Sequence, residues 1–466
     1  MGPQQEPAGI IFNQSQQPAG HVPAFFMPLT GIKIAITNYM EQQHDVIIIG
    51  AGAAGLISAL EISLTGRSVA VIEASERCGG RINTNYTDNG YPVELGAEFV
   101  HGKLPITQEL AKKAGLKMYE VGGSVWQKKD GEITRQKDFI EDFSVLEKKF
   151  NGIDHDLSVA GFMDKHLQGA AFEELRFSLQ NYVEGYYAAD MNKASTFALR
   201  DELTKADDEQ YRLEKGYQYL IGYLEKECRK HGVQFYFSQP VKELSWKQND
   251  VEAMTEKGSF KAKKVIVTAS IGVLQKDRIG FSPTLPHLKE TAQKLGYGHV
   301  IKINLWFEKA FWKNKEFTSK KNLKDLNFLF SEETVPTWWT QHPKDEPLLT
   351  GWLAGPKALT LQTLRDEELI KKALHSLSTI FNSGLIHLNQ QLKKATVYNW
   401  SADPHFNGAY SYAVINGEEH MKEILRPVDN TVYFAGEGLH HGNEIGTVEA
   451  ALQSGRNVSQ QVVAAF

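Results

Sequence analysis

The sequence predicts an α/β protein that begins its folded part with a β-α-β unit. Three features of residues 44–73 carry that prediction. Residues 46–49 are an unbroken apolar run, short enough for a buried strand. Gly50-Ala51-Gly52-Ala53-Ala54-Gly55 follows at once. A helical repeat then runs through Leu56, Ala59, Leu60 and Leu64, stops at Gly66, and yields to a second apolar strand over 69–72 that ends on Glu73.

This order is the fingerprint of a dinucleotide site. Gly50 permits the tight turn off the strand. Gly52 leaves the backbone open to a pyrophosphate, with Ala54 in the same cradle, and Gly55 lets helix and strand approach. The helix N-terminus offers unpaired N–H donors and positive partial charge to the phosphates. Glu73 lies where an acidic side chain takes both ribose hydroxyls. An acid there disfavours a 2′-phosphate, so FAD or NAD is expected ahead of NADP.

The rest of the chain extends this unit. Residues 76–82, ERCGGRI, place Gly79 and Gly80 between arginines, which suits a second approach to a pyrophosphate, with Arg81 supplying charge. Residues 90–102 read as a strand and a loop. Residues 104–230 read as mostly helical, with helices over 105–114, 139–150, 172–188 and 216–231. Strands return over 234–237, 241–246 and 264–268. Residues 297–307 alternate, with Ile301, Ile303, Leu305 and Phe307 on one face and Val300, Lys302, Asn304 and Trp306 on the other. A helix over 367–381, a strand over 432–434 and a helix over 446–465 follow. The predicted architecture is a Rossmann-like nucleotide-binding domain from segments 44–103, 231–285 and 395–466. A mixed sheet-and-helix (α+β) second domain, for the substrate, comes from 104–230 and 286–394.

Composition narrows the function. The chain has 466 residues and a net charge of −5, with no basic run, so nucleic acid is a poor partner. No apolar stretch reaches the length of a membrane span. The two cysteines, Cys78 and Cys228, read either as two free thiols, which fit a reducing compartment and the expected cytoplasmic location, or as a single disulfide. No His/Cys cluster suggests a metal, and His440-His441 alone does not make one. Residues 1–43 are rich in Gln, Pro and Gly and are expected to be a disordered extension. No signal peptide is evident. Met40 stands just before the first strand, and a chain beginning there is expected to fold and hold its cofactor.

Further blocks line up along the chain: GAEFVHG at 96–102, VIVTASIGVL at 265–274, LGYGHVIKINLWF at 295–307, WSADPHFNGAYSY at 400–412 and FAGEGLHHGNEIGTVEAALQSG at 434–455. Together with IIIGAGAAGL, Glu73 and ERCGGRI, the chain from about His44 onward resembles the flavin-containing amine oxidase family. That family includes monoamine oxidases, polyamine and spermine oxidases, and flavin-dependent histone lysine demethylases.

The resemblance implies FAD and assigns roles. Gly50, Gly52, Ala54, Gly55 and Glu73 would hold the ADP half, with Gly79, Gly80 and Arg81 near the pyrophosphate and Val241 at the adenine. Gly96, Ala97 and Glu98 would lie along the flavin. Gly436 and Glu437 would meet the pyrophosphate and ribityl region, and Thr447 and Val448 the pyrimidine edge. On pattern alone Gly446 opens a helix whose N-terminus would stabilise negative charge on a reduced flavin. Lys302, on pattern a solvated strand lysine, would hold a water at flavin N5 and assist reoxidation by O₂. Trp400 and Tyr410 would form an aromatic wall. Ala409 stands where monoamine oxidases carry the cysteine joined to flavin, so the FAD is expected to be non-covalent. Thr447 stands where those enzymes have a second cage tyrosine. His101 would enter the substrate cavity as an amine contact or a pH-sensitive gate. Glu184 and Asp190 are candidates for a distal ammonium.

The implied reaction passes hydride from the α-carbon of a neutral amine to the flavin. The imine is hydrolysed to an aldehyde, and O₂ yields H₂O₂. A polyamine or related alkyl amine is the expected substrate, and a small aromatic or aliphatic monoamine the alternative. A flavin desaturase or protoporphyrinogen-type oxidase shares the N-terminal blocks but not the Lys302 strand or GAYSY. A flavoprotein binding module without turnover is the reading from another class. Monomer and homodimer both stay open.

Overall fold

The first strand forms because four consecutive branched residues need burial on both faces. In the computed structural model, Gln43–Ile49 is a strand in which Val46, Ile47, Ile48 and Ile49 are all buried. Helix Ala53–Ser63 and strand Val69–Ile72 follow, so the expected β-α-β unit is present. The structure describes residues 43–102, 104–137, 139–140, 142–205 (Lys205 by its backbone alone), 209–285, 287–318, 320–442 and 444–466. The N-terminal extension and Met40 lie outside them, apart from Gln43.

An eight-stranded sheet grows from that unit. Gln43–Ile49 pairs in parallel with Val69–Ile72 on one side and with Gly258–Val267 on the other, Ile47 opposite Val265. Gln234–Tyr236 extends the first edge in parallel. Val432–Phe434 joins Gly258–Val267, also in parallel. Asp250–Thr255, Glu243–Lys247 and Gly280–Ser282 complete the sheet, the first two through antiparallel ladders. Apolar side chains cover both faces, as a sheet with continuous apolar strands requires. Helix Val448–Ala464 lies against helix Ala53–Ser63 at close range: a Cβ on Gly455 would meet the Ala54 carbonyl oxygen at 2.4 Å, and Ser58 Oγ donates to the Gly455 carbonyl at 2.9 Å.

A second, seven-stranded sheet runs in the order Leu392–Asn399, Val300–Phe307, Leu348–Ala354, Thr337–Trp339, Leu326–Ser331, Ser124–Lys129, Glu132–Gln136. Helix Asp366–Phe381 packs its apolar face on this sheet. Leu392–Asn399 crosses the expected boundary between 394 and 395 and pairs with Val300–Phe307 instead. The α/β class is as expected.

Three local expectations need correction. Among its described residues the stretch 104–230 holds four strands besides its helices, including the hairpin Ser124–Lys129 and Glu132–Gln136. Its turn is Asp130-Gly131 with both residues at positive φ, a hairpin signal already present in the sequence. The single helix over 172–188 is instead an α-helix, Glu173–Gln180, continued by a π-helical turn, Asn181–Tyr186. The Val300–Phe307 strand has no solvated face: it is central in its sheet, and both Lys302 and Asn304 are buried.

Candidate active site and cofactor cleft

The fingerprint glycines meet the physical tests their roles require. Gly50 has φ +104°, and a Cβ there would meet Thr268 Oγ1 at 2.6 Å. A Cβ on Gly55 would lie 2.0 Å from the Gly50 carbonyl oxygen, so only glycine lets helix and strand sit this close. Gly52 faces open space, as does Gly436. The two arginine-flanked glycines dock onto the same turn, with the Gly79 N–H donating to the Ala51 carbonyl at 2.8 Å.

One cavity of about 1570 Å³ joins this cradle to the rest of the site. Gly50, Gly52, Ala54, Glu73, Gly79, Gly80 and Arg81 line it, and so do Gly96, Ala97, Glu98, His101, Val241, Lys302, Trp400, Tyr410, Gly436, Glu437, Thr447 and Val448. Gly55 does not line it and acts behind, through packing. Glu184 and Asp190 do not line it either. Glu184 accepts from Gln180 Nε2 on the helix exterior, and Asp190 is used by its own turn, accepting from the Asn192 N–H at 2.9 Å. The structure thus places these two candidate ammonium anchors outside the cavity lining.

Five charged groups of the cavity, Glu73, Arg81, Glu98, Lys302 and Glu437, have definite partners. Glu73 Oε2 accepts from the Ala51 N–H at 2.6 Å and Oε1 from Ser75. Arg81 donates to Glu437 at 2.5 Å and to the Ala409 carbonyl at 2.7 Å, and Glu437 also accepts from the Ser411 N–H. Lys302 Nζ donates to Glu98 Oε2 at 2.6 Å and to the Gly96 carbonyl at 3.2 Å. Glu98 Oε1 accepts from Arg212 and from Trp339 Nε1 at 3.0 Å. Burial alone would raise the Glu98 carboxyl, but the Lys302 and Arg212 charges outweigh it and hold it below the usual range. Lys302 is thus a buried, paired lysine over the rings of Trp339 and Trp352, not a solvated one.

The aromatic wall is wider than expected. Trp400 is buried against Tyr398, with ring centroids 4.1 Å apart, and its Nε1 donates to the Leu95 carbonyl. Tyr410 stacks on Trp352 at 6.5 Å and donates its hydroxyl to the Tyr186 carbonyl. Trp339, Phe328 and Tyr186 line the same cavity. Trp352 stands opposite Lys302 on the neighbouring strand, and Trp339 lies on the strand beyond that; sequence spacing alone relates neither to Lys302. His101 packs edge-on to Tyr186, and burial pushes its imidazole down to about 4. An imidazole lowered in this way is neutral at neutral pH.

The last helix begins at Val448, two residues later than expected. Thr447 is its N-cap, accepting from the Ala450 N–H at 3.1 Å, and Gly446 precedes it at φ +86°. The N-terminus of this helix therefore faces the cavity. So does that of Ala53–Ser63. Glu449 in the first turn accepts from the N–H groups of Ile106 and Thr107, both at 2.8 Å, and so caps helix Pro105–Lys113.

Sequence reasoning missed Glu202. It stands on helix Thr196–Lys205 and lines both the main cavity and an adjoining one of about 50 Å³. Burial, with Glu444 adding to it, pushes its carboxyl up to about 8. Among the described residues there is no group of three or more His, Cys, Asp or Glu able to hold a metal, and no helix is long and apolar enough to cross a membrane.

Comparison with known proteins identifies the class. The family described as flavin containing amine oxidoreductase matches residues 53–152 and 123–463. The chain belongs to this family, and it is an amine-oxidising flavoenzyme that uses FAD. Among its relatives, a probable polyamine oxidase 4 of Arabidopsis thaliana is 28% identical over 92% of this chain and 90% of its own length. Lysine-specific histone demethylase 2 of Homo sapiens is 26% identical over 90% of this chain but 53% of its own. In fold the chain is similar to a putrescine oxidase bound to putrescine (TM-score 0.72, 20% identity) and to cyclohexylamine oxidase from Brevibacterium oxydans (TM-score 0.74, 18% identity). Each covers 91% of this chain and 99% of its own.

The residues fit FAD. Gly52 and Gly436 face open space that a Cβ would fill, the Arg81 guanidinium stands beside them in the same cavity, and two helix N-termini point in.

Proposed function

We propose that this enzyme oxidises polyamines or related alkyl amines with O₂ as acceptor. The observation that carries the reading is the continuity of one cavity from the Gly52–Glu73–Gly436 cradle to an aromatic channel walled by Trp339, Trp352, Tyr186 and Phe328. Such walls pack methylene chains and attract ammonium groups through their ring faces. FAD, when bound, supplies the two-electron acceptor for the carbon next to the reacting nitrogen. Amine, O₂ and water then give aldehyde, a shortened amine or ammonia, and H₂O₂.

The chain's own residues do the rest. Gly50, Gly52, Glu73, Gly79, Gly80, Arg81, Val241, Gly436 and Glu437 hold the cofactor, and Ala409 leaves it non-covalent. Residues 44–102, 231–285 and the chain after Asn399 form the cofactor half, with helices Pro105–Lys113 and Tyr217–Lys230 packed against it; the rest of 104–230 and 286–399 form the substrate half. Thr447, Val448 and the helix they begin stabilise negative charge where they face the cofactor. Tyr410 and Trp400 orient the substrate. Neutral His101 can accept a hydrogen bond from an amine without repelling it. Lys302, fixed by Glu98, orders water for the reaction with O₂. Delivery of a neutral amine makes activity rise with pH through the substrate amine's effective pKa.

The test is anaerobic mixing of the yellow holoenzyme with spermine, spermidine, putrescine and aromatic monoamines, following flavin bleaching. Fast bleaching by the aliphatic di- and polyamines is expected. Bleaching by aromatic monoamines alone, or by none, would overturn the proposal.

A further inference from the structure

Four aromatic side chains of the cavity, Trp339, Trp352, Trp400 and Tyr410, each carry one N–H or O–H donor. All four donors are spent on the protein. Trp339 Nε1 donates to Glu98, Trp400 Nε1 to the Leu95 carbonyl, Trp352 Nε1 to the Gly185 carbonyl at 2.7 Å, and the Tyr410 hydroxyl to the Tyr186 carbonyl. The last two acceptors are consecutive and lie at the end of one helix. A helix leaves its final carbonyls without backbone partners. Here it widens into the π-turn Asn181–Tyr186, with the Tyr187 N–H on the Tyr182 carbonyl at 3.2 Å, and the chain departs at Ala188 with φ +51°. Two glycines let this widened end press against the second sheet. A Cβ on Gly298 would meet the Ala188 carbonyl oxygen at 2.5 Å, and one on Gly355 the Glu184 carbonyl oxygen at 3.1 Å. Gly298 precedes the Lys302 strand and Gly355 follows the Trp352 strand. Trp352 and Tyr410, stacked on each other, are thus pinned by their polar edges to a turn that is itself wedged in place.

Spending these donors has a chemical consequence. Loss of hydride from the α-carbon to FAD turns the nitrogen lone pair into the C=N bond of an iminium. A donor bonded to that lone pair stabilises the bound amine and not the transition state, and so slows the step. We infer that Gly185 and Tyr186 are positioning residues for amine oxidation: their carbonyls withhold the Trp352 N–H and the Tyr410 O–H from the substrate nitrogen and leave it only the rings. The inference rests on the reading above that a neutral amine is the reactant. It also explains the π-turn, whose i→i+5 bonding takes in one residue more than an α-helical turn and carries the two carbonyls to the wall.

Two measurements on the holoenzyme test this, with flavin absorbance confirming that each variant is folded and loaded. The first needs no turnover. Backbone hydrogen exchange is compared in wild type, Trp352→Phe and Tyr410→Phe. Amides of residues 182–189 should exchange about tenfold faster in each variant, with helix Ala53–Ser63 unchanged. Exchange unchanged in both regions would overturn the pinning. The second deletes Glu184, whose side chain lies outside the cavity lining, so that the turn shortens by one residue and releases both donors. Anaerobic reduction by putrescine should slow about tenfold at saturation while half-saturation stays the same or falls. Tyr410→Phe added to the deletion should then restore about threefold, because it removes a donor that now reaches the amine. A further loss in the double variant, or no slowing by the deletion, would overturn the inference. Absence of bleaching by putrescine in wild type would instead remove the substrate reading, and the exchange result would still decide whether the rings are pinned.

Discussion

Lys302 Nζ lies 2.6 Å from Glu98 Oε2, with both side chains cut off from solvent, and Arg212 closes on the other carboxylate oxygen. Two cations therefore share one anion inside the protein. Lys302→Met leaves Glu98 still bonded to Arg212 and Trp339, so the fold should survive with a loss of about 1–3 kcal/mol. Flavin content should be retained, while reoxidation of reduced enzyme by O₂ slows at least tenfold in stopped-flow measurements. Unchanged oxygen kinetics would remove Lys302 from the reaction.

Glu94 makes stability depend on pH in the opposite sense to an ordinary carboxylate. Burial pushes it up to about 7, against hydrogen bonds from Thr84 and the Tyr217 N–H. The folded state then holds a proton that the unfolded state releases near 4.5, so its contribution falls as pH rises from 4.5 to 7. Glu94→Gln keeps the shape and removes the titration. The variant should gain on wild type by about 3 kcal/mol between pH 4.5 and 8, read by urea unfolding. A pH-independent difference would contradict this.

Gly52 and Gly55 separate binding from folding. Gly55→Ala drives a methyl into the Gly50 carbonyl at 2.0 Å and should destabilise the protein by about 1–3 kcal/mol. Gly52→Ala meets no protein atom. It should leave the unfolding transition of the apoprotein unchanged while reducing FAD affinity. Equal losses of stability in the two variants would show the cradle to be structural.

Cys78 and Cys228 are both free and buried, and burial raises both thiols, Cys228 to about 12. Native protein should therefore react with no aromatic disulfide reagent on the minute scale, and unfolded protein with two equivalents. A fast native equivalent would mean that one of these sites opens.

The cofactor end of the molecule was legible because its demands are local. Gly50, Gly52, Gly55 and Glu73 act within one turn and one strand, and sequence spacing carries that geometry. The substrate end was not. Glu202 sits on a helix within a stretch whose strands were also overlooked, and only the fold brings it into the cavity with Tyr410 and Glu444. Glu184 and Asp190, the candidates drawn from the same helical stretch without a motif, each bond to their own neighbours. Lys302 was found by resemblance, but its burial follows from the two strands flanking it, which no alternation within its own strand reveals.

The helix capped by Thr447 touches the fingerprint helix across 397 positions of sequence, through Ser58 and Gly455. Glu449 secures residues 106 and 107, and Val432–Phe434 completes the sheet beside Gly258–Val267. During synthesis the nucleotide end therefore waits. The glycine turn emerges early, but the helix behind it and one of its strands leave the ribosome more than 350 residues later. Until then part of the apolar face of the first strands is uncovered. A stall before Val432 is made should leave a protein that cannot take up flavin, however intact its fingerprint.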